Sequence, residues 1–119
     1  MATFNLKVGD ASLTATYADT AAARELSVLL SGKPLTVQMR DHGGFEKVGS
    51  LGQSLTAGDT RIRAVIGDIM LYQGNQMVIF YGTNTWGYTR LGKIMGITPD
   101  GLRDVLGRGD VTAVLSAGN

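Results

Sequence analysis

The chain contains no cysteine, which excludes disulfides, thiolate metal sites and thiol catalysis and leaves the redox compartment undetermined. It has one histidine, His42, so a histidine-based metal site or a Ser-His-Asp triad would need every partner from elsewhere. Within Asp41-His42-Gly43-Gly44 that histidine reads as a turn residue. No charge of one sign dominates: 11 basic residues stand against 10 acidic ones, for a formal charge of +1. The basic residues are scattered singly from Lys7 to Arg108, without the clustered Lys and Arg and interleaved aromatics of a nucleic-acid-binding face, so no nucleic-acid partner is expected. No apolar run approaches a membrane span, and Met1-Ala2-Thr3-Phe4-Asn5-Leu6-Lys7-Val8 has neither the charged region nor the apolar core of a signal peptide. The expectation is a cytoplasmic protein without a membrane partner. No cofactor or metal is implied.

What is present fits one domain spanning 1–119, long enough to bury roughly two-thirds of the surface its unfolded form exposes. Apolar residues make up 44%, sufficient for a real core, and the 17 glycines, Gly43-Gly44 apart, are dispersed singly between apolar runs, as turns and bulges of a tight β architecture require. Phe4, Leu6 and Val8 alternate with Thr3, Asn5 and Lys7, and after Gly9-Asp10 the residues Leu13, Ala15 and Tyr17 repeat the alternation. Residues 3 to 17 therefore predict a β-hairpin. The period then becomes helical: Ala22, Leu26, Leu29 and Leu30 follow an N-cap at Asp19 or Thr20, and Gly32 with Pro34 ends a helix over about 20–31.

Leu35, Val37 and Met39 predict a third strand, ended by the turn at 41–44, with a short strand near Phe45 to Val48. Residues 49–60 have no period and read as an exposed loop. Ile62 to Ile66, Ile69 to Tyr72 and Met77 to Tyr81 read as continuously apolar runs, broken only by Arg63, as strands are when an interior lies on one side and a helix covers the other. A polar loop carrying Trp86 leads to a strand at about Arg90 to Met95. Thr98-Pro99-Asp100 is a helix start, with Leu102, Val105 and Leu106 on the inward stripe, and Val111, Ala113 and Leu115 form a last strand.

This order, strand, strand, helix, several strands, short helix, strand, resembles that of cyclophilins. Gly67 to Tyr72, Gly74-Asn75-Gln76 and Met77-Val78-Ile79-Phe80 resemble the Gly-x-Leu-x-Met strand, Asn-rich turn and Phe-Phe-Ile strand of that family. Trp86 falls at the family's loop tryptophan, and Leu91-Gly92-Lys93-Ile94 resembles its Phe-Gly-Lys-Val strand. Residues 3 to 31 resemble the family's opening, and Met39 to Gly49 with Tyr88 to Gly92 are similar to the compact bacterial cyclophilin-like domains, whose biochemical role is not established as a family. The resemblance implies a mainly β fold, a closed barrel of about eight strands with two short helices.

The departures bear on activity. Cyclophilin prolyl isomerases use an arginine in a Phe-His-Arg stretch followed by a Phe-Met-x-Gln-Gly-Gly strand; its guanidinium donates to the amide as C–N double-bond character is lost, against a barrier of about 18–20 kcal/mol. Neither motif occurs. Arg40 is the nearest candidate catalytic residue by chain order, the pocket phenylalanine aligns with Val78, and the family histidine aligns with Tyr88. The resemblance places a ligand groove near Tyr72, Gln76, Val78, Phe80, Trp86 and Tyr88, suited to a small molecule or an extended peptide. The leading expectation is a binding or accessory module without strong isomerase activity. The alternatives are a weak or divergent peptidyl-prolyl isomerase using Arg40, and a subunit partner of an amide-hydrolysing enzyme. No carboxylate pair stands out for acid–base work, since an exposed first turn explains Asp100 and Asp104. Neither Gly43-Gly44 nor Gly107-Arg108-Gly109 has the context of a phosphate loop.

Overall fold

The two alternating runs at the start of the chain pair with each other because each has one apolar face to bury. The computed structural model, which describes residues 2–107 and 109–118, makes them β1 (Thr3–Val8) and β2 (Ala11–Tyr17), in register from Thr3 opposite Thr16 to Val8 opposite Ala11. Helix α1 (Ala21–Gly32) starts where the period changes. Its cap is Thr20, whose Oγ1 accepts from the Ala23 amide at 3.0 Å and donates to the Arg90 carbonyl at 2.7 Å. One hydroxyl thus fixes both the helix start and its attachment to the sheet. Ala22, Ala23, Leu26 and Leu30 are its buried face.

The remaining elements are β3 (Leu35–His42), β4 (Glu46–Ser50), β5 (Thr60–Ala64), β6 (Asp68–Tyr72), β7 (Gln76–Phe80), β8 (Asn84–Met95), α2 (Pro99–Leu106) and β9 (Val111–Ala117). Every strand pair is antiparallel, in the order β2-β1-β9-β3-β4-β7-β6-β8, and β8 pairs back onto β2, so eight strands close a ring. The fifth strand stands outside it, paired with the first half of β8 alone. Closure is tight at Gly92, where β8 meets β2: a Cβ there would lie 2.3 Å from the Thr16 carbonyl oxygen. Only glycine lets the two backbones approach so closely.

Inside the ring lie Phe4, Leu6, Ile69, Leu71, Met77, Ile79, Leu91 and Leu115, with Leu102 and Leu106 of α2. A second, smaller cluster of Val48, Ala64, Met70, Val78, Phe80 and Tyr88 occupies the outer face of β4, β7 and β6. This explains why β6 and β7 read as continuously apolar, both faces being buried; the run at Ile62 to Ile66, read the same way, is β5, whose positions are mostly exposed. The outer cover is the ribbon of β5 and the first half of β8 rather than the helix expected from the sequence. A bulge makes this possible. Ile69 pairs with Gly92 but Met70 pairs with Arg90, so Leu91 is an extra residue in β8 and the strand bends there.

Two further expectations are corrected. Trp86 is not on a loop but in the twelve-residue strand β8, opposite Ile62. The irregular stretch is shorter than read, since Gly49, Ser50 and Thr60 are in strands, and it is not wholly exposed: Leu51 and Leu55 are buried, their amides donating to the carbonyls of Asn75 and Gly74. Among the described residues, no helix is long and apolar enough to cross a membrane. Arg108 lies outside the described residues.

Candidate functional site

Pairing register decides which side chains meet on the outer face. Arg40 lies opposite Val48 and His42 opposite Glu46, so these four side chains of β3 and β4 project to one side. Glu46 is opposite Phe80, Val48 opposite Val78 and Ser50 opposite Gln76; Val78 and Gln76 in turn face Met70 and Tyr72. The β5–β8 ribbon adds Asn84, Trp86 and Tyr88 from alternate positions of β8. Between the ribbon and the sheet is a concavity of about 360 Å³ lined by residues of β3, β4, β6, β7 and β8: Arg40, His42, Glu46, Val48, Tyr72, Gln76, Asn84, Trp86 and Tyr88.

Of the residues singled out from the sequence, Arg40, Tyr72, Gln76, Trp86 and Tyr88 come together in this groove. Val78 and Phe80 do not line it. They are 1% and 0% exposed, in the cluster beneath, where Phe80 is covered by Tyr88 in an edge-on contact at 5.4 Å and by Phe45 stacked at 6.4 Å. His42, Glu46, Val48 and Asn84 line the groove without having been expected there. For His42 the available signal was period 2: continuing the alternation of β3 past Arg40 puts His42 on the same face, and the end of β3 rather than the turn is where it sits.

The groove is polar at its walls and apolar at its base. Trp86 is 56% exposed, an unusual state for the chain's single tryptophan. The rings of Tyr72 and Tyr88 are tilted against each other at 6.2 Å. The Tyr88 hydroxyl accepts from Asn84 Nδ2 at 2.9 Å, and burial pushes the phenol above its ordinary value, with the Asn84 contact pulling the other way. Arg40 makes no ion pair among the described residues. Glu46 is 5% exposed; burial holds its carboxyl above the usual range, opposed by His42, whose Nδ1 is 3.6 Å from Oε1. Desolvation disfavours the charged form and a neighbouring imidazolium favours it.

Behind this face, β4 sends Lys47 inward, opposite Ile79 of the inner core. Its ammonium donates to Asp41 Oδ1 at 3.2 Å and to the Gly109 carbonyl at 2.6 Å. The Tyr81 hydroxyl donates to the same Asp41 oxygen, and the phenol is pushed up to about 12, first by burial and then by that carboxylate. Asp41 is held low, chiefly by the Tyr81 hydroxyl. These groups have partners of their own, and the Asp41 charge adds to the burial that raises the Glu46 carboxyl.

A family model described as the cyclophilin-like family matches residues 6–116, nearly the whole length. The chain belongs to the cyclophilin-like family. No curated protein is similar enough to the chain to count as a match. Membership accounts for the ring, the two helices and the strand order, whereas the chemistry of the groove has to be argued from its own side chains. In this cyclophilin-like chain Arg40 and Trp86, far apart in sequence, face one concavity.

Proposed function

We propose that this cyclophilin-like domain is a binding module whose outer-face groove takes a small ligand or an extended peptide, without strong prolyl isomerase activity. The observation that carries the reading is the joint exposure to one concavity, already lined by Tyr72, Gln76 and Tyr88, of Trp86 and of an Arg40 that makes no ion pair among the described residues. An aromatic platform beside a few convergent polar groups is what fixes and orients a ligand. Isomerisation asks for more: an apolar slot for the proline ring beside the guanidinium. Val78 and Phe80, which would supply it, are covered, and the open walls carry Glu46, Gln76 and Asn84.

Trp86 is the chain's single tryptophan, so its emission reports the groove directly. Addition of short peptides is expected to shift that emission saturably, and Trp86→Phe to remove the signal. A weak prolyl isomerase is the second reading, favoured by the convergence of Arg40 with Trp86. Uncatalysed X–Pro isomerisation takes tens of seconds or longer. In a protease-coupled assay the protein is expected to leave that rate unchanged, and an acceleration abolished by Arg40→Ala would establish the enzyme instead.

A further inference from the structure

The groove holds two groups of opposite charge that do not meet. Arg40 and Glu46 are diagonal neighbours on one face of the β3–β4 pair, an arrangement that sets their backbone positions about 7–8 Å apart. Among the described residues Arg40 has no ion pair, and the one charged partner of Glu46 is His42 at 3.6 Å, itself 66% exposed at the rim. No described hydrogen bond of 3.5 Å or less reaches the Glu46 carboxyl, although the residue is 5% exposed and what it exposes lines the groove. No buried side-chain oxygen among the described residues lacks a partner, so this carboxyl is partly desolvated rather than sealed off, and a donor or cation arriving in the groove would stabilise its charged form.

The surroundings suit a cation. Tyr88 is close enough to feel the Glu46 charge and lies against Tyr72, and Trp86 stands on the same side of β8; ring faces attract ammonium groups. Arg40 offers the complementary fork for a carboxylate. About 360 Å³ is the volume of a small-ligand site, which suits an occupant of dipeptide size.

Building on the reading of the groove as a ligand site, we propose that it selects an amphoteric amino-carboxylate of dipeptide size, with the ammonium received by Glu46 among the tyrosine and tryptophan rings and the carboxylate by Arg40. Glu46 is then the residue that sets specificity.

The test is a titration of the whole chain, by calorimetry and Trp86 emission, with a panel of unblocked dipeptides, their N-acetyl forms and their C-terminal amides. The unblocked forms are expected to bind, and capping either end to weaken binding at least tenfold. Glu46→Gln should bring the free and N-acetylated forms to within about twofold of each other, and Arg40→Gln should do so for the free and amidated forms. Capped peptides that bind wild-type protein as tightly as free ones overturn this inference while leaving the groove as a ligand site. A panel of which no member gives heat or shifts Trp86 overturns both. The capping comparison uses wild-type protein, so it holds whether or not the variants fold.

Discussion

Lys47 is 0% exposed, and what it contributes can be divided between its stem and its charge. Its four methylenes lie on the inward face of β4, opposite Ile79, and each buried methylene is worth about 0.8 kcal/mol. The ammonium makes one ion pair and one carbonyl hydrogen bond and lies 5.3 Å from the Tyr81 ring centroid, but the Asp41 side chain is 33% exposed and keeps the Tyr81 hydroxyl. Water can therefore take over much of what Lys47 gives Asp41, and the Gly109 hydrogen bond is worth about 1 kcal/mol net. Lys47→Ala is expected to cost about 3–4 kcal/mol, the lost stem plus a cavity. Lys47→Met, which keeps most of the stem, should cost about 1 kcal/mol. Urea unfolding reads both as shifts of midpoint at constant slope. Since the outer face of the same strand carries Glu46 and Val48, ligand binding should weaken with the alanine variant and survive the methionine one. A methionine variant as unstable as the alanine variant would refute the argument, because the charge and not the stem would then be holding β4.

Two more predictions follow from the same geometry. Glu46 is held above its ordinary value chiefly by burial, so the native state binds its proton more tightly than the unfolded chain. Stability is therefore lost as pH rises from the ordinary carboxylate value through the raised one, and Glu46→Gln should remove that slope and be the more stable protein at neutral pH. Asp41, held low by Tyr81, has the opposite sign, contributing stability that is lost as pH falls through its lowered value. It is common to both proteins, so urea midpoints from about pH 3 to 8 that run parallel for wild type and variant would exclude the Glu46 effect. At the closure of the ring, Gly92→Ala would set a Cβ 2.3 Å from the Thr16 oxygen and 3.0 Å from the Phe4 ring. The strain should cost about 2–3 kcal/mol, or roughly 10 °C in Tm by scanning calorimetry; a Tm within about 2 °C of wild type would show that β2 and β8 do not close there.

Much of the fold was legible because local rules act within a few residues. Period 2 marks Phe4, Leu6 and Val8 as a strand facing a core, and Thr20 and Thr98 begin helices because each side-chain oxygen reaches an amide three residues on. The groove was legible in part. Tyr72, Gln76, Trp86 and Tyr88 came from kinship to the family, and Arg40 from its position in the order of strands. Glu46 was not, since a lone acid after a Gly-Gly turn looks solvated until its strand is known to be covered. Val78 and Phe80 were assigned to the groove because sequence fixes the face of a residue but not what lies over it.

From the sequence alone came the elements, their amphipathic faces and the family, because spacing, caps and turns are properties of neighbouring residues. The tertiary structure alone decided that the extra residue Leu91 bends β8, that the bent half folds with β5 over the outside of the ring, and that a gap remains between ribbon and sheet. Those outcomes depend on pairings between residues distant in the chain. They bring Arg40, Glu46 and Trp86 into one concavity, because register across several strands, rather than any local pattern, fixes which side chains share a face.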